Sequence, residues 1–283
     1  MQIITLSNHA QQQLDAAAQQ RASQHAAEAI RYTRQVNERA NGLAAQKLNA
    51  SLAWSQGQYL SWFGGLVAWG WAALTWPRPV PPNLVGVSQA EKVWAAGSDG
   101  ERRVVDQLRK CLSDEWTAIA GYSNSGGEVD VVLVGPLGVL AIEVKYLNGV
   151  IHCDGDRWWR DKYDKYGNAV ESRVPIADKK GRGPSAQVNA SADRLQHFLA
   201  ERSPVKRVRR AVVLSHDASR IGNLSAITVD VVARIDDLDV KDVFAGGRVA
   251  MDSSAVTDVV RLIEKDHHFH QQRRENQSQR RSA

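Results

Sequence analysis

The hydrophobic and polar positions fall into four kinds of pattern along the chain. Residues 1–50 hold 12 Ala and 9 Gln, no Pro and a single Gly at Gly42. Ser7 or Asn8 can cap a helix there, and little would stop it before the middle fifties. The larger apolar residues (Leu14, Ile30, Val36, Leu43, Leu48) keep no clean heptad. A long helix or loose coiled coil is therefore expected over 1–58, with disorder as the alternative. From Asn49 to Trp76 there is no charge, and Tyr59–Trp76 is almost wholly apolar, with tryptophan near both ends. A spanning helix needs about 20 such residues, within a range of about 17–25, so a transmembrane helix is expected over 59–76. The alternative is a buried or oligomerising helix. Residues 39–58 and 77–96 carry two Arg/Lys each, so charge bias sets no orientation.

Pro77-Arg78-Pro79-Val80-Pro81-Pro82 reads as a stiff linker over 77–85. Beyond it, Ser88 can cap a helix that carries Val93, Trp94, Val104, Val105 and Leu108. Gly97-Ser98-Asp99-Gly100-Glu101 interrupts this pattern, so the helix bends there or a second one starts near Asp99. Strands are expected at 116–122, on both sides of Gly135-Pro136-Leu137-Gly138, at 149–153, at 211–215 and at 227–232. Helices are expected from Pro184 with a stripe of Val188, Ala192, Leu195 and Leu199, and over 236–244 and 253–265. Arg157–Arg182, with eight Lys/Arg and four acids, reads as a long polar loop. A basic, disordered tail is expected over 266–283. Strands mixed with helices in this order predict one α/β domain over 86–265.

Within that domain the run from Gly126 to Lys145 has an unusual charge pattern. If the turn is symmetric about the Pro136–Leu137 bond, facing residue numbers sum to 273. Val134 then faces Val139, Val132 faces Ala141, Asp130 faces Glu143 and Glu128 faces Lys145. Opposed Cβ atoms lie roughly 4.5–5.5 Å apart, so two carboxylates at that spacing repel unless a proton or cation separates them. One reading is the solvated edge of an amphipathic hairpin; the other is a metal site.

Composition changes the picture little. Apolar residues make up 43% and charged residues 24% of 283 residues, enough for an ordinary folded core. A net charge of +5 leans towards polyanionic partners. Cys111 and Cys153 alone, with no Cys-x-x-Cys pair, argue against a structural zinc site or a disulfide framework.

Taken together, the chemistry-bearing residues resemble a known pattern. Asp130, a twelve-residue gap and Glu143-x-Lys145 resemble the core of the PD-(D/E)xK nucleases. Gly97-x-x-Gly100-Glu101, Glu128-Val129-Asp130, Val134-Gly135-Pro136-x-Gly138-Val139, Ile142-Glu143-Val144-Lys145, Gly149, Trp158 and Pro184-x-x-Gln187 resemble, more specifically, the NERD (nuclease-related) domain over about 92–200. The resemblance implies a restriction-endonuclease-like fold, a central mixed sheet flanked by helices. It implies phosphodiester hydrolysis of nucleic acid, with DNA the expected substrate. A Mg²⁺ or Mn²⁺ ion would be held by Asp130, Glu143, the Val144 carbonyl and Glu101. Lys145 would orient or deprotonate the attacking water, Glu101 would complete the metal shell or orient Lys145, and Gln187 would position water or phosphate. Glu128 would be either a ligand or the partner of Lys145. The basic stretches 157–182 and 202–210 would grip phosphates. A catalytically inactive nucleic-acid-binding or scaffold module is the alternative. The remaining expectations are oligomers through the N-terminal helix, membrane attachment through 59–76, and placement at a bacterial-type inner membrane with the nuclease domain in the cytoplasm, or else in the cytoplasm alone.

Overall fold

A computed structural model describes residues 1–83, 86–245 and 250–282. Positions 84 and 85 of the expected linker and position 283 of the expected tail lie outside the described residues. The chain divides into two compact units, residues 14–91 and residues 1–13 with 92–283.

The smaller unit is a helical hairpin of α1 (His9–Ser55) and α2 (Tyr59–Thr75). Asn8 caps α1 by accepting the Gln11 amide at 3.0 Å. The two helices pack through small residues and aromatics: a Cβ on Gly65 would touch Ala50 at 3.1 Å, and Trp54 meets Trp62 at 4.7 Å between ring centres. Arg39 ties the far end by donating to the Ala73 carbonyl at 2.9 Å. This corrects the expected transmembrane span: no helix among the described residues is long and apolar enough to cross a membrane. The 17 residues of α2 reach only about 26 Å at about 1.5 Å per residue, short of the roughly 30 Å hydrocarbon layer. Turn residues before Tyr59 and Pro77 after Trp76 keep the helix from lengthening. Ser88 and Glu91 then make a reciprocal capping box, with Ser88 N donating to Glu91 Oε2 at 2.7 Å and Glu91 N to Ser88 Oγ at 3.2 Å.

The larger unit is a mixed α/β fold. Its main sheet has six strands in the order β1 (Gln2–Thr5), β2 (Thr117–Ser123), β3 (Glu128–Gly135), β4 (Gly138–Lys145), β8 (Val208–Leu214), β10 (Val231–Arg234). Strands β2, β3 and β4 are antiparallel neighbours, while β1, β8 and β10 join in parallel. Helices cover both faces because the central strands are apolar on both. Val132, Val134, Val139 and Ala141 face one layer, where α4 (Pro184–Ala200) and α6 (Ser253–Ser282) bring Val188, Leu195, Val259 and Ile263. Val131, Leu133, Leu140 and Ile142 face the other, with Val104 and Leu108 of α3 (Gln89–Cys111) and Phe244 after the short α5 (Val240–Val243).

The larger unit departs from expectation in several places, among them the strand expected at 227–232, which runs instead from Val231 to Arg234, and the helix expected over 236–244, which shrinks to a 3-10 turn and α5. The region 157–182 is largely sheet: β6 (Arg157–Tyr163) and β7 (Ala169–Pro175) join β5 (Gly149–Asp154) and β9 (Ser219–Ser225) in a second sheet ordered β7-β6-β5-β9. The interrupted pattern near Gly97 is one unbroken α3. The expected disordered tail continues α6 up to Ser282, fastened where Asp266 accepts from Tyr122 Oη at 2.5 Å and His267 Nδ1 accepts the Ser123 amide at 3.1 Å.

Candidate active site

The hairpin of β3 and β4 has the register that a two-residue turn dictates. Gly135 pairs with Gly138, Val134 with Val139 and Val132 with Ala141. The paired ladder ends at Val131 and Ile142, so Asp130 and Glu143 come just beyond it. The strand does not simply continue there. Asp130 Oδ2 accepts the backbone amide of Val144 at 2.6 Å. Lys145 O accepts the Ser215 amide at 3.1 Å on the opposite side. In a strand a residue's N–H and C=O leave on the same side. The Val144 carbonyl therefore leaves β4 on the side of Asp130.

Lys145 is the centre of the cluster. Its ammonium donates to Glu143 Oε1 at 2.6 Å and to Gln187 Oε1 at 3.4 Å. Gln187 is held from its other end, Nε2 donating to the Arg182 carbonyl at 2.8 Å. It lies in the first turn of α4, whose start at Pro184 is fixed by the β5–β6 turn. There Trp158 Nε1 donates to Ser185 Oγ at 2.9 Å, and Ser185 Oγ to Asp156 at 2.6 Å. Gly183 must be glycine for this docking, since a Cβ would lie 2.2 Å from the Asp156 carbonyl oxygen. Glu101 arrives from the opposite helical layer. The preceding residue, Gly100, sets the approach: a Cβ there would meet Ser215 Oγ at 2.7 Å and Tyr146 Cβ at 3.0 Å, just past the ends of β8 and β4. Gly100, which interrupts the helical pattern, thus serves a close approach.

Electrostatically the cluster has too many acids for its cations. Burial, then Glu128 and Glu143, push the Glu101 carboxyl up to about 7. Burial and the neighbouring Glu143 raise Asp130 well above the usual carboxylate range. Burial likewise raises Glu143, against the opposing pull of Lys145. Burial alone would lower Lys145, but Glu143 and Asp130 outweigh it and hold the ammonium charged. Glu128 is exposed and is not the hydrogen-bond partner of Lys145; its Oε1 accepts from Ser7 Oγ at 3.3 Å. It acts on the site as a nearby negative charge.

The structure therefore brings together Glu101, Asp130, Glu143, Lys145 and Gln187, and adds two residues that the sequence pattern places in a loop. Arg182 lowers the carboxyl of Glu143 and Asp178 raises Lys145. The two are paired to each other, Arg182 Nε donating to Asp178 Oδ2 at 2.9 Å. Their four-residue spacing just before a Gly-Pro helix start was the available signal. The arginines of 202–210 go elsewhere. Arg207 and Arg209 pair with Asp230, and Arg210 with Asp193. They also lie towards the start of β8, whereas Lys145 faces its end at Leu214.

Among the described residues, no three His, Cys, Asp or Glu side chains stand close enough to hold a metal ion between them. The donor set still suits a hard divalent cation. Mg²⁺ takes one or two carboxylates and keeps several waters, and a cation would offset the burial and neighbouring negative charge that raise Asp130 and Glu143.

No curated protein and no solved structure matches this chain. A family description does match: residues 96–215 fit the model of the nuclease-related domain, NERD, a stretch that runs from just before Gly100 through Asp130, Glu143, Lys145 and Gln187 to Ser215. Over that stretch the chain is similar to the nuclease-related domain.

Proposed function

We propose that this protein hydrolyses phosphodiester bonds of nucleic acid, DNA in the first place, with Mg²⁺ or Mn²⁺ at Asp130 and Glu143. The observation that carries the reading is the cluster itself. An apolar hairpin ends in a buried and a partly buried carboxylate, both raised by desolvation, and a charged lysine, inside the stretch similar to the nuclease-related domain.

Asp130, Glu143 and the Val144 carbonyl would hold the ion, with Glu101 as a further carboxylate. When bound, the ion would neutralise phosphate charge and lower the pKa of a water to make the nucleophile. Everything else falls to the chain. The Lys145 ammonium, fixed by Glu143 and Gln187, supplies positive charge and hydrogen bonds to the attacked phosphate and the water beside it. Gln187, itself tethered to Arg182 O, keeps that ammonium aimed and presents an amide to water or phosphate. The mixed sheet with flanking helices, with acids at the open ends of β3 and β4, supports the restriction-endonuclease-like reading.

The test is nicking of supercoiled plasmid by the full chain. Cleavage should need Mg²⁺ or Mn²⁺ and disappear in Asp130→Ala and Lys145→Ala. Salt-sensitive DNA binding with no cleavage by any of the three proteins would instead favour a non-catalytic binding module.

A further inference from the structure

Beside the catalytic cluster lies a concavity of about 330 Å³ with no part in holding the metal or aiming Lys145. Its walls are Arg157, Trp158, Trp159, Arg173, Pro175 and Gly183. We infer that it is a nucleotide subsite that takes one unpaired base of a single-stranded substrate on the face of Trp159 turned away from His152, the Arg173 guanidinium moving from that face to the adjoining phosphate beside Arg157. This rests on the nuclease reading, which it sharpens by naming the strandedness of the substrate.

Trp159 is presented, not incidental. Along β6, Trp158 points into the core and Trp159 to the outer face, as strand alternation requires. Its ring lies parallel to the His152 ring, 5.4 Å between centres and 4° between planes. His152 is fixed in turn, Nδ1 accepting the Asn223 amide at 2.9 Å and Nε2 lying 3.4 Å from Asp161 Oδ2. The Arg173 guanidinium sits over the Trp159 ring at 5.6 Å. To reach it, Arg173 takes a backbone φ of 53°, the left-handed region that costs a non-glycine residue energy. Its amide is held there by Asp161 Oδ1 at 2.6 Å, beside a register shift between β6 and β7. A strained residue, a bulge and a shared carboxylate thus converge to set one guanidinium beside one indole.

The polar groups also suit an anion. Arg157, ion-paired with Asp154 across the β5–β6 turn, keeps its side chain 83% exposed, so the pair can open towards a phosphate. Asp156, the acid on the cleft wall, accepts from Ser185 Oγ and Thr228 Oγ1, each at 2.6 Å. Aromatic faces stack on any base, and arginine binds phosphate in bidentate fashion. A base in a duplex offers neither face, so the cleft selects unpaired nucleotides.

The cleft is joined to the catalytic cluster through one short segment. Gly181 and Gly183 line the cleft, while Arg182 between them acts on Glu143 and holds Gln187 through its carbonyl. A strand whose base lies on Trp159 has its backbone leading past Arg182 to Lys145.

The experiment measures binding of the full chain to a fluorescent 15-nucleotide oligothymidylate and to a duplex of equal length, in EDTA so that nothing is cut. Trp159→Ala should weaken single-strand binding about tenfold, within the range for losing one base–aromatic stack, and duplex binding less than about twofold. Trp159→Phe should restore most of the loss, and Arg173→Asn, which tolerates the backbone, should weaken single-strand binding about threefold with a shallower salt dependence. If Trp159→Ala melts at a lower temperature than the parent, Trp159→Phe and Arg173→Asn carry the comparison. Equal affinities for parent and variants, or equal losses on single strand and duplex, would overturn the subsite. Trp159-dependent single-strand binding without metal-dependent cleavage would leave the subsite standing and remove the nuclease reading. Cleavage with unchanged binding in the variants would do the reverse.

Discussion

The two halves of the β3–β4 hairpin share strands and a face, yet they solve opposite problems. Towards the turn, Val132, Val134, Val139 and Ala141 are fully buried against α4 and α6. At the open end, Asp130, Glu143 and Lys145 occupy the continuation of the same face, and Glu143 is only 4% exposed. The first half contributes stability by burying apolar area. The second half gives some of it up, since desolvated acids that repel one another raise the energy of the folded state. Helix α6 follows the same division, with Val256, Val259 and Ile263 over the apolar half and Asp266 and His267 at the polar end.

The comparison breaks most sharply if an acid is moved one pair inwards. Val132→Asp would place a carboxylate opposite Ala141 with no cation in reach, and should cost about 4 kcal/mol or more by chemical denaturation. A loss below about 1 kcal/mol would mean that the inner half is wetter than its burial indicates. At the open end, Lys145→Met leaves Glu143 buried without its partner. It should destabilise by about 3 kcal/mol or more and slow cleavage about 100-fold or more; a variant that cuts at the parent's rate would remove Lys145 from the site. Asp130→Asn should act in the other direction on stability. It can still accept the Val144 amide but no longer repels Glu143, so without divalent metal it should gain about 1 kcal/mol while losing activity. Mg²⁺ should raise the melting temperature of the parent and leave that of Asp130→Asn unmoved; an equal rise in both would place the ion elsewhere.

The smallest effect concerns α6. Burial first, then His268 and Arg274, hold the His267 imidazole below its ordinary value of 6.5, with Asp266 opposing. The unfolded chain takes up the proton first as pH falls through 6.5. The stability from the neutral ring is therefore complete above that pH and is lost below it. Thermal melts should show a decline under about 1 kcal/mol between roughly pH 6.5 and 5. His267→Asn, which can still accept the Ser123 amide, should flatten it, and an unchanged slope would assign the decline to other groups.

What the sequence made legible follows from range. The hairpin register needed only a two-residue turn and strict alternation, and the ladder observed follows those rules from Gly135–Gly138 to Val131–Ile142, with the expected Asp130–Glu143 and Glu128–Lys145 pairs outside it. Asp130, Glu143 and Lys145 were readable because they lie on one local element. Glu101 and Gln187 came from the family resemblance, and the structure shows how Gly100 and Pro184 bring them in. Long-range pairings stayed hidden. The four-residue β1 is a strand only because β2, more than a hundred residues later, provides its ladder. The stretch 157–182 looked like a loop because its sheet has a polar, arginine-rich outer face, so its apolar positions are few. Helix α2 read as a membrane span because the sequence shows its apolar run but not that the helix stops at 17 residues and packs on α1. The tail of α6 lacks an apolar stripe, and its order comes from Tyr122, Ser123 and Asn124 of another element.

If the charged end of the hairpin is a metal-dependent phosphodiesterase centre, its most direct measurement is single-turnover cleavage of single-stranded DNA by the full chain. The assay runs across a Mg²⁺ and Mn²⁺ titration, for the parent and Asp130→Asn side by side. Such a centre predicts a rate that rises with metal in the parent and is absent from a folded Asp130→Asn. Equal cleavage by both proteins, or none by the parent on DNA or RNA with either metal, would contradict it.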